Sequence, residues 1–307
     1  MLKYAVIGAG AIGCYYGGRL AQSGQEVHFL FHSEYEWVRK HGLKVDSVKG
    51  DFSLSSINAY SSTLGMPPCD VVLVSLKSTQ NHLLPQMLAP IVHEHTMVVL
   101  VQNGLGLEQD LAEQFPDLCI AGGMAFICAS RISPGYIRHA DYGSLTVGFH
   151  QKANQDMLVQ VQQDFANANV KLYIAEDLNL ARWKKLVWNI PYNGLTVALE
   201  TTTDQLMQNE YSRQLVQELM EETLAGAQAC GAAIEPEFVE KMMKSTDEMT
   251  PYAPSMRLDW DHHRPMEIQA IYANPIRIAR NAGYYMRKTD MLRQILLFKE
   301  MEYGKNR

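Results

Sequence analysis

Apolar and polar positions near the start of the chain predict a strand, a glycine turn, a helix and a second strand. Tyr4–Ile7 is a short apolar run with β-branched residues, and the glycine-rich segment Gly8–Gly13 follows it. A stretch without proline then reaches Gly24, and Glu26–Phe31 has the composition of the next strand. Because all of these fall within about 30 residues, this is the context in which G-x-G-x-x-G indicates dinucleotide binding.

The glycines of this turn have separate physical roles. Gly8 allows the tight turn, Gly10 lets the backbone approach a pyrophosphate, and Gly13 lets the helix pack close to its strand. The helix N-terminus offers N–H groups and a positive dipole end to the phosphates. A glycine-rich turn without a ligand is the alternative, but the order of elements favours a cofactor. The predicted cofactor contacts are Gly8, Ala9, Gly10, Ala11, Ile12 and Gly13.

Two further apolar runs predict buried parallel strands that end in polar residues. Asp70–Leu76 precedes Lys77, and Met97–Val101 is followed closely by Asn103. Open α/β sheets bind ligands at the carboxyl ends of their strands. Lys77 and Asn103 are therefore candidate ligand contacts, although such residues are often only solvated.

The pattern changes to short β-like pieces over Cys119–Phe149. Gly135–His139 and Ser144–Phe149 are predicted to pair antiparallel. Turns are expected at Ser133–Gly135 and at Tyr142-Gly143.

A change from strands to helices predicts the domain boundary. A helix is expected over Gln151–Asn169 and a last strand over Val170–Ala175, and the pattern is helical from there on. We therefore predict a dinucleotide-binding domain over residues 1–175 and a helical domain over residues 176–307.

The first helix predicted in the second half, Leu178–Leu199, carries one polar row. Residues four apart differ by about 40° around a helix axis, so Lys185, Asn189 and Asn193 share a face. Amides can hydrogen-bond the oxygens of a 2-oxo acid, and an ammonium can donate a proton. A solvated helix face is the alternative. Pro191 is expected to distort the helix, because it removes a backbone hydrogen bond.

The rest of the helical half has clear start and stop signals. Four further segments are predicted: a long helix capped by Thr201–Asp204 and reaching Gly231, a loop over Pro251–Met256, a helix over Pro265–Asn281 and a last helix over Thr289–Tyr303.

Composition limits the class of protein. A chain of 307 residues with 47% hydrophobic and 20% charged residues is typical of a soluble globular protein of two domains. A net charge of −6 argues against a general nucleic-acid binder. No secretory signal or membrane span is recognisable, and the five cysteines form no C-x-x-C pair. We expect reduced thiols and a cytoplasmic protein.

The end of the second strand bears on the choice of cofactor. A carboxylate there favours NAD, whereas a basic residue favours the 2′-phosphate of NADP. The strand ends at Phe31-His32, and Arg39-Lys40 follow. Glu34 could serve as the ribose acid, and a solvated loop is a further alternative. We predict NADP(H), with His32 as a contact.

Several motifs are found together in one known family. They are Gly8–Gly13, Leu76-Lys77, Gln102–Gly106, the Trp183/Lys185/Leu186/Asn189/Asn193/Leu195-Thr196 pattern, and Ser255-Met256-x-x-Asp259 with Arg264-Pro265-x-Glu267-Ile268. Over nearly its whole length the chain resembles the ketopantoate reductases (2-dehydropantoate 2-reductases). The resemblance implies an α/β fold with a Rossmann-type NADP-binding domain followed by an all-helical domain like that of 6-phosphogluconate dehydrogenase.

The resemblance also implies roles for the matched positions. Lys185 corresponds to the general acid that protonates the carbonyl oxygen, whereas Lys184 points about 100° away from the asparagine row. The implied substrate contacts are Asn103, Asn189, Asn193 and Ser255, and the implied cofactor contacts are Lys77, Asn103 and Glu267.

Some positions depart from the family pattern. His32 stands where the family usually has an arginine for the 2′-phosphate, and Thr203 stands where some members have an asparagine. The segment Tyr252–Pro254 replaces a run of small polar residues. Thr203 and this segment correspond to the acyl side of the substrate and leave the choice of 2-oxo acid open.

These features support a reductase of 2-dehydropantoate that gives (R)-pantoate for pantothenate and coenzyme A synthesis. Reduction of another branched 2-oxo acid is one alternative, and a non-catalytic dinucleotide-binding sensor is another. A metal enzyme using His262-His263 is disfavoured because adjacent histidines cannot share a helix face, so no metal site is predicted. By analogy with other helical second domains, a homodimer is expected.

Overall fold

The computed structural model describes residues 1–249, 251 and 253–305, so Tyr252 of the predicted Pro251–Met256 loop lies outside the described residues. The chain divides into two compact units. The sheet unit comprises Met1–Gln102 and Leu107–Leu178, and the helical unit comprises Asn103–Gly106 and the residues from Asn179 onward. The division lies three residues beyond residue 175. The assignment of Asn103–Gly106 to the helical unit has no counterpart in the predicted division.

A ten-stranded sheet organises the described part of the sheet unit, in the order β4-β3-β9-β8-β7-β6-β1-β2-β5 with β10 beside β9. The strands are β1 Lys3–Ile7, β2 Glu26–Leu30, β3 Leu43–Ser47, β4 Phe52–Leu54, β5 Asn58–Tyr60, β6 Val71–Val74, β7 Met97–Leu100, β8 Cys119–Ser133, β9 Tyr136–Gln151 and β10 Leu172–Ile174. The helices are α1 Ala11–Gln22, α2 Tyr35–His41, α3 Leu84–Leu88, α4 Leu107–Ala112 and α5 Gln155–Asn167.

The middle of this sheet is parallel and buried. Strand β1 pairs with β2 on one side and with β6 on the other, and β6 continues to β7. All residues of β6 and β7 are buried, as their continuous apolar runs predict. The strand order changes direction at β1, and open α/β sheets bind ligands at such a switch point. The predicted Rossmann-type arrangement is confirmed.

The β8–β9 hairpin corrects one prediction. Its turn lies at Pro134-Gly135, as expected, but β9 runs on without a second turn and pairs antiparallel with β8. The predicted partners are not paired with each other: Ser144–Phe149 and all of Gly135–His139 except the turn residue Gly135 belong to this one strand. At Tyr142-Gly143 the backbone takes positive φ angles of 61° and 101°, and the register shifts there. The glycine signal predicted as a turn is a β-bulge.

The described residues of the helical unit contain no strand, as predicted. Its helices are α6 Leu178–Ala198, which begins at the last residue of the sheet unit, α7 Thr203–Gln208, α8 Glu210–Ala229, α9 Glu237–Glu248, α10 Ser255–Asp261, α11 Asn274–Asn281 and α12 Arg287–Lys305, with a π-helical turn at Gln269–Ala273. None of the helices described in the chain has the length and apolar character of a membrane span.

One prediction about these helices needs revision, and a second, on Pro191, stays a prediction. The long helix to Gly231 is interrupted at Asn209, whose Oδ1 accepts hydrogen bonds from the N–H groups of Tyr211 (3.0 Å) and Ser212 (3.3 Å) and so begins a new helix. Helix α6 is continuous on both sides of Pro191, and whether the proline distorts it stays a prediction. The side-chain row on α6 therefore keeps its helical phase.

Candidate active site

The glycine turn after β1 is shaped by close backbone contacts. Gly8 has φ +93°, and a Cβ there would overlap the backbone of Leu76. A Cβ on Gly13 would lie 2.5 Å from both the Gly8 carbonyl oxygen and the Ser75 hydroxyl oxygen. Only glycine fits either position, because a side chain would separate the turn from its neighbouring strand.

Gly10 is different, because a Cβ there would meet nothing within 4 Å. It is the N-cap of α1, whose first turn has neither a side-chain cap nor an acidic residue. The helix ladder begins only when the Cys14 N–H donates to the Gly10 carbonyl at 2.9 Å, so the N–H groups of Ala11, Ile12 and Gly13 precede it. A space beside a helix N-terminus fits a dinucleotide pyrophosphate.

The residues after β2 divide into exposed and buried ones. His32 and Ser33 are exposed, whereas Glu34 is only 7% exposed. The Glu34 carboxylate accepts hydrogen bonds from the Arg131 guanidinium and, at 2.9 Å, from the Gly135 N–H. Neither sequence interpretation of Glu34 is correct, since it is neither solvated nor open to a ribose. Its partner lies 97 residues away, so no local signal marked the pair.

Lys77 directly follows the predicted strand end and introduces a 3₁₀ turn at Ser78–Leu83. Gln102 supports this edge, because its Nε2 donates to the Leu76 carbonyl at 2.8 Å and to the Asn81 side chain at 2.7 Å. Sequence analysis assigned Gln102 no role. Its buried amide holds the segment before Lys77 in place.

The polar row predicted on α6 exists as one face of that helix. Asn189 and Asn193 are 3% and 1% exposed, and Lys185 is partly buried beside them. Lys184 is exposed, and its ammonium lies 5.8 Å from the ring centre of Phe238. The solvated-face alternative is therefore wrong for the asparagines. Buried amides need hydrogen-bond partners, so this row is a place where ligand oxygens fit.

Both asparagines contact other predicted site segments within the helical unit. Asn189 Nδ2 donates to Asn103 Oδ1 at 3.4 Å, and Asn193 Oδ1 accepts from the Met256 N–H at 3.0 Å. Ser255, the first residue of α10, directly precedes Met256, so the second bond brings the start of α10 to Asn193. The structure thus brings together Asn103, Asn189, Asn193 and Ser255, which come from three distant parts of the sequence.

The Asn103–Gly106 loop is bound to the π-helical turn. Gly104 has φ +107°, and a Cβ there would lie 2.5 Å from the Ala270 carbonyl oxygen. The Leu105 N–H donates to that oxygen at 3.0 Å, and Asn274 Nδ2 donates to the Leu105 carbonyl at 2.7 Å. These contacts explain the glycine of this motif without a ligand.

Glu267 lies two residues before the π-helical segment and is 4% exposed. Its carbonyl accepts the Ile271 N–H at 3.1 Å. Pro275 has no N–H to offer the carbonyl four residues earlier, which favours an irregular turn at this point. The predicted cofactor contact Glu267 is thus a buried carboxylate next to a non-standard helical turn.

Two other motif residues have a structural explanation. Asp259 is 1% exposed and accepts a hydrogen bond from Arg264 Nε at 3.0 Å. The Arg264 N–H also donates to the Asp259 carbonyl at 2.8 Å. This pair closes the turn after α10.

The described residues contain no group of three or more His, Cys, Asp or Glu side chains arranged to hold a metal. His262 Nδ1 lies 2.7 Å from the Leu258 carbonyl, and His263 has a left-handed φ of 58° in the turn after α10. The adjacent histidines belong to a helix end.

Comparisons with known proteins match both halves of the chain. The family model "Ketopantoate reductase PanE/ApbA" matches residues 4–152, and its C-terminal counterpart matches residues 177–300. A curated 2-dehydropantoate 2-reductase of Nostoc sp. is 46% identical over 99% of this chain and 96% of the relative. The crystal structure of 2-dehydropantoate 2-reductase from Geobacter metallireducens has a TM-score of 0.93 and 39% identity, covering 96% of this chain and 99% of that one.

Two less similar structures share the fold. A ternary structure of D-mandelate dehydrogenase with NADH and anilino(oxo)acetate has a TM-score of 0.89 and 21% identity, covering 99% of this chain and 100% of that one. A ketopantoate reductase from Staphylococcus aureus, described as dimeric, has a TM-score of 0.83 and 21% identity with the same coverage. The full-length matches carry the assignment: this chain belongs to the ketopantoate reductase family.

Proposed function

We propose that the chain reduces 2-dehydropantoate to (R)-pantoate with NADPH, a step of pantothenate and coenzyme A synthesis. The observation that carries this proposal is the 46% identity, over nearly the full length of both chains, with a curated 2-dehydropantoate 2-reductase. Fold alone would not choose the substrate, because a D-mandelate dehydrogenase shares it. Another branched 2-oxo acid is therefore the enzymatic alternative.

In this proposal the sheet unit holds the cofactor. The N–H groups at the start of α1 bind the pyrophosphate in the space beside Gly10, while Gly8 and Gly13 keep the turn close to its strand. His32, two residues after β2, and Lys77, three residues after β6, contact the dinucleotide. When bound, NADPH supplies the hydride for the carbonyl carbon of the substrate.

The helical unit supplies the proton and the substrate contacts. Lys185 protonates the carbonyl oxygen, and its charge stabilises the alkoxide that develops there. Because the Asn193 oxygen accepts from Met256, its NH₂ group is what remains to donate to a substrate oxygen. Asn189, Ser255 and Asn103 complete the substrate contacts.

Glu267 and Asn103 are assigned to the nicotinamide end of the cofactor. The support is the family resemblance, together with the burial of Glu267 and the hydrogen bond that links Asn103 to Asn189. Single π-helical turns are frequent at functional sites, and Glu267 lies two residues before one.

A homodimer and a cytoplasmic location are part of the proposal. All five cysteines are free thiols, which suits a reducing compartment. The Staphylococcus aureus relative described as dimeric supports the assembly, and so does an exposed apolar row on α12 formed by Met291, Ile295 and Phe298. Light scattering after size exclusion should give twice the chain mass, and Phe298→Asp should reduce it. A monomeric wild-type chain would contradict the dimer.

The first test measures NADPH oxidation, through the loss of reduced-nicotinamide absorbance, with 2-dehydropantoate and with a panel of other 2-oxo acids. Turnover chiefly with 2-dehydropantoate is the expected result. Turnover only with another acid would make that acid the substrate and would point to Thr203 as a residue that selects it. NADPH binding without turnover of any acid would favour the sensor alternative.

A further inference from the structure

The tip of the β8–β9 hairpin is fixed to the start of α2. Strand β8 pairs with β7 only over Cys119–Gly122, so residues 123–133 continue past the carboxyl end of β7. At the tip, the Gly135 N–H donates to Glu34 Oε2 at 2.9 Å. A side chain on Gly135 would overlap the Trp37 ring and approach the Gly42 carbonyl. The hairpin therefore reaches the edge where this sheet type binds ligands.

Arg131 reaches the same point from the β8 side. Its guanidinium hydrogen-bonds Glu34 Oε1 through Nη1, while its side chain stays 43% exposed. A guanidinium has five N–H donors, so a hydrogen bond to one carboxylate oxygen uses only one of them. Glu34 is two residues after His32, which limits the distance between their Cα atoms to about 7.6 Å.

A second observation links this ion pair with the phosphate-binding turn. Burial raises the pKa of the Cys14 thiol; Glu34 raises it further, and Arg131 opposes that effect. Cys14 lies in the first turns of α1, directly after Gly13. Both charges therefore act on the residue that directly follows the glycine turn.

The other basic groups near the end of β2 are less suited to hold a phosphate. His32 has at most two ring N–H donors, whereas a guanidinium has five. Arg39 lies in the last turn of α2, where it pairs with Glu36 at 3.2 Å on the exposed face. Arg131 is fixed by a buried carboxylate and keeps donors at the surface.

We propose that Arg131 binds the 2′-phosphate of NADP(H) and that Glu34 positions its guanidinium. An arginine from the hairpin thus replaces the strand-end arginine that the family usually has. A guanidinium suits this task because its planar donors match the oxygens of a phosphate. The inference rests on the proposed function, since it takes NADP(H) as the cofactor.

A fluorescence titration of the full-length chain with NADPH and with NADH, in the absence of substrate, tests this assignment. Arg131→Met should weaken NADPH binding roughly 10- to 100-fold, the value of a charged hydrogen bond, and leave NADH binding within about twofold. Glu34→Gln should give a smaller loss that is also selective for NADPH.

Arg138→Met is the matched control. Arg138 pairs with Ser130 and Arg131 with Ile137, so the two arginines are on opposite faces of the same hairpin. The control removes the same charge and should leave both affinities unchanged. Equal losses for NADPH and NADH in Arg131→Met, or an unchanged ratio of the two affinities, would overturn the proposal.

A second variant guards against misfolding. Arg131→Met leaves a buried carboxylate without its ion partner, whereas Glu34→Gln/Arg131→Met keeps a neutral acceptor for the Gly135 N–H. The double variant should show the same selective loss of NADPH affinity. A wild-type chain that binds neither nucleotide would instead refute the proposed function. Preference for NADPH that survives in both variants would refute only the role of Arg131.

Discussion

Two glycine segments, one in each unit, differ in what occupies the space beside them. A Cβ on Gly8 would overlap the Leu76 backbone, and a Cβ on Gly13 would lie 2.5 Å from the Gly8 carbonyl oxygen. A Cβ on Gly10, between them, would meet nothing within 4 Å. In Asn103–Gly106, a Cβ on Gly104 would lie 2.5 Å from the Ala270 carbonyl oxygen. The position of a Cβ on Gly10 is therefore open space, whereas the position of a Cβ on Gly104 is occupied by Ala270.

This difference separates two reasons for a glycine. Where the missing Cβ would strike backbone, the fold requires glycine. Where it would enter open space beside a helix N-terminus, the fold itself does not require glycine, and our proposal is that a bound dinucleotide does. Substitutions in the first class should lower stability, and Gly10 substitutions should lower nucleotide affinity. The predictions below follow this division from the largest effect to the smallest.

Lys185→Ala should have the largest effect, because a positioned general acid contributes roughly 10²- to 10⁴-fold to turnover. NADPH affinity should remain unchanged, since the sheet unit carries the dinucleotide turn. Lys184→Ala is the control, because that ammonium lies over the Phe238 ring rather than in the asparagine row. Steady-state kinetics and fluorescence titration measure both quantities. Normal turnover of Lys185→Ala would remove Lys185 from the mechanism.

Gly104→Ala should lower the free energy of unfolding by about 3 kcal/mol, through backbone strain and overlap with Ala270. Gly106→Ala separates these causes, because Gly106 also has a positive φ of 82° but its nearest neighbour would lie 3.5 Å away. We expect that variant to lose only about 1 kcal/mol. Urea unfolding measures the pair. Equal losses would show that strain alone matters at both positions.

Gly10→Ala should weaken NADPH binding roughly tenfold, or about 1.4 kcal/mol, because the added methyl group enters the pyrophosphate space. Its stability should change by less than about 1 kcal/mol. Gly13→Ala is the converse case, with a Cβ 2.5 Å from the Gly8 carbonyl oxygen, and should lose stability as well. Thermal unfolding measures the stability of both variants, and nucleotide titration measures their NADPH affinity. A destabilised Gly10→Ala variant with normal affinity would reverse our assignment.

The smallest effect concerns His139, beside the packed glycine of the β9 bulge. A Cβ on Gly143 would lie 3.0 Å from His139 Nε2, and the His139 ring nitrogens contact Ser47 Oγ and the Asp141 carbonyl at 2.8 and 2.9 Å. Burial lowers the pKa of His139 below its ordinary value.

The unfolded chain therefore takes up the His139 proton more readily than the folded chain. Stability from neutral His139 is complete above its unfolded pKa, about 6.5, and is lost progressively as the pH falls from that value through the lower folded pKa. His139→Gln, which cannot titrate, should lose less stability between pH 7.5 and 5.5 in urea unfolding. An equal loss in both proteins would show that His139 does not contribute.

Local patterns were enough for much of this protein. The strand, glycine turn and helix at the start are confirmed because each depends on neighbouring residues. The row of Lys185, Asn189 and Asn193 is one helix face for the same reason, since a four-residue spacing is set by the helix itself. The catalytic and binding roles of these residues stay predictions.

Long-range contacts decided the rest. Sequence left Glu34 as an alternative ribose ligand or a solvated loop residue, whereas the fold places Arg131 against it, 97 residues later in the chain. Asn103 and Gly104 followed a strand of the sheet unit in sequence, yet they belong to the helical unit because Gly104 fits against Ala270. Such pairings depend on which distant backbone arrives at a given place. Spacing along the chain carries no signal for that, and only the folded chain supplies it.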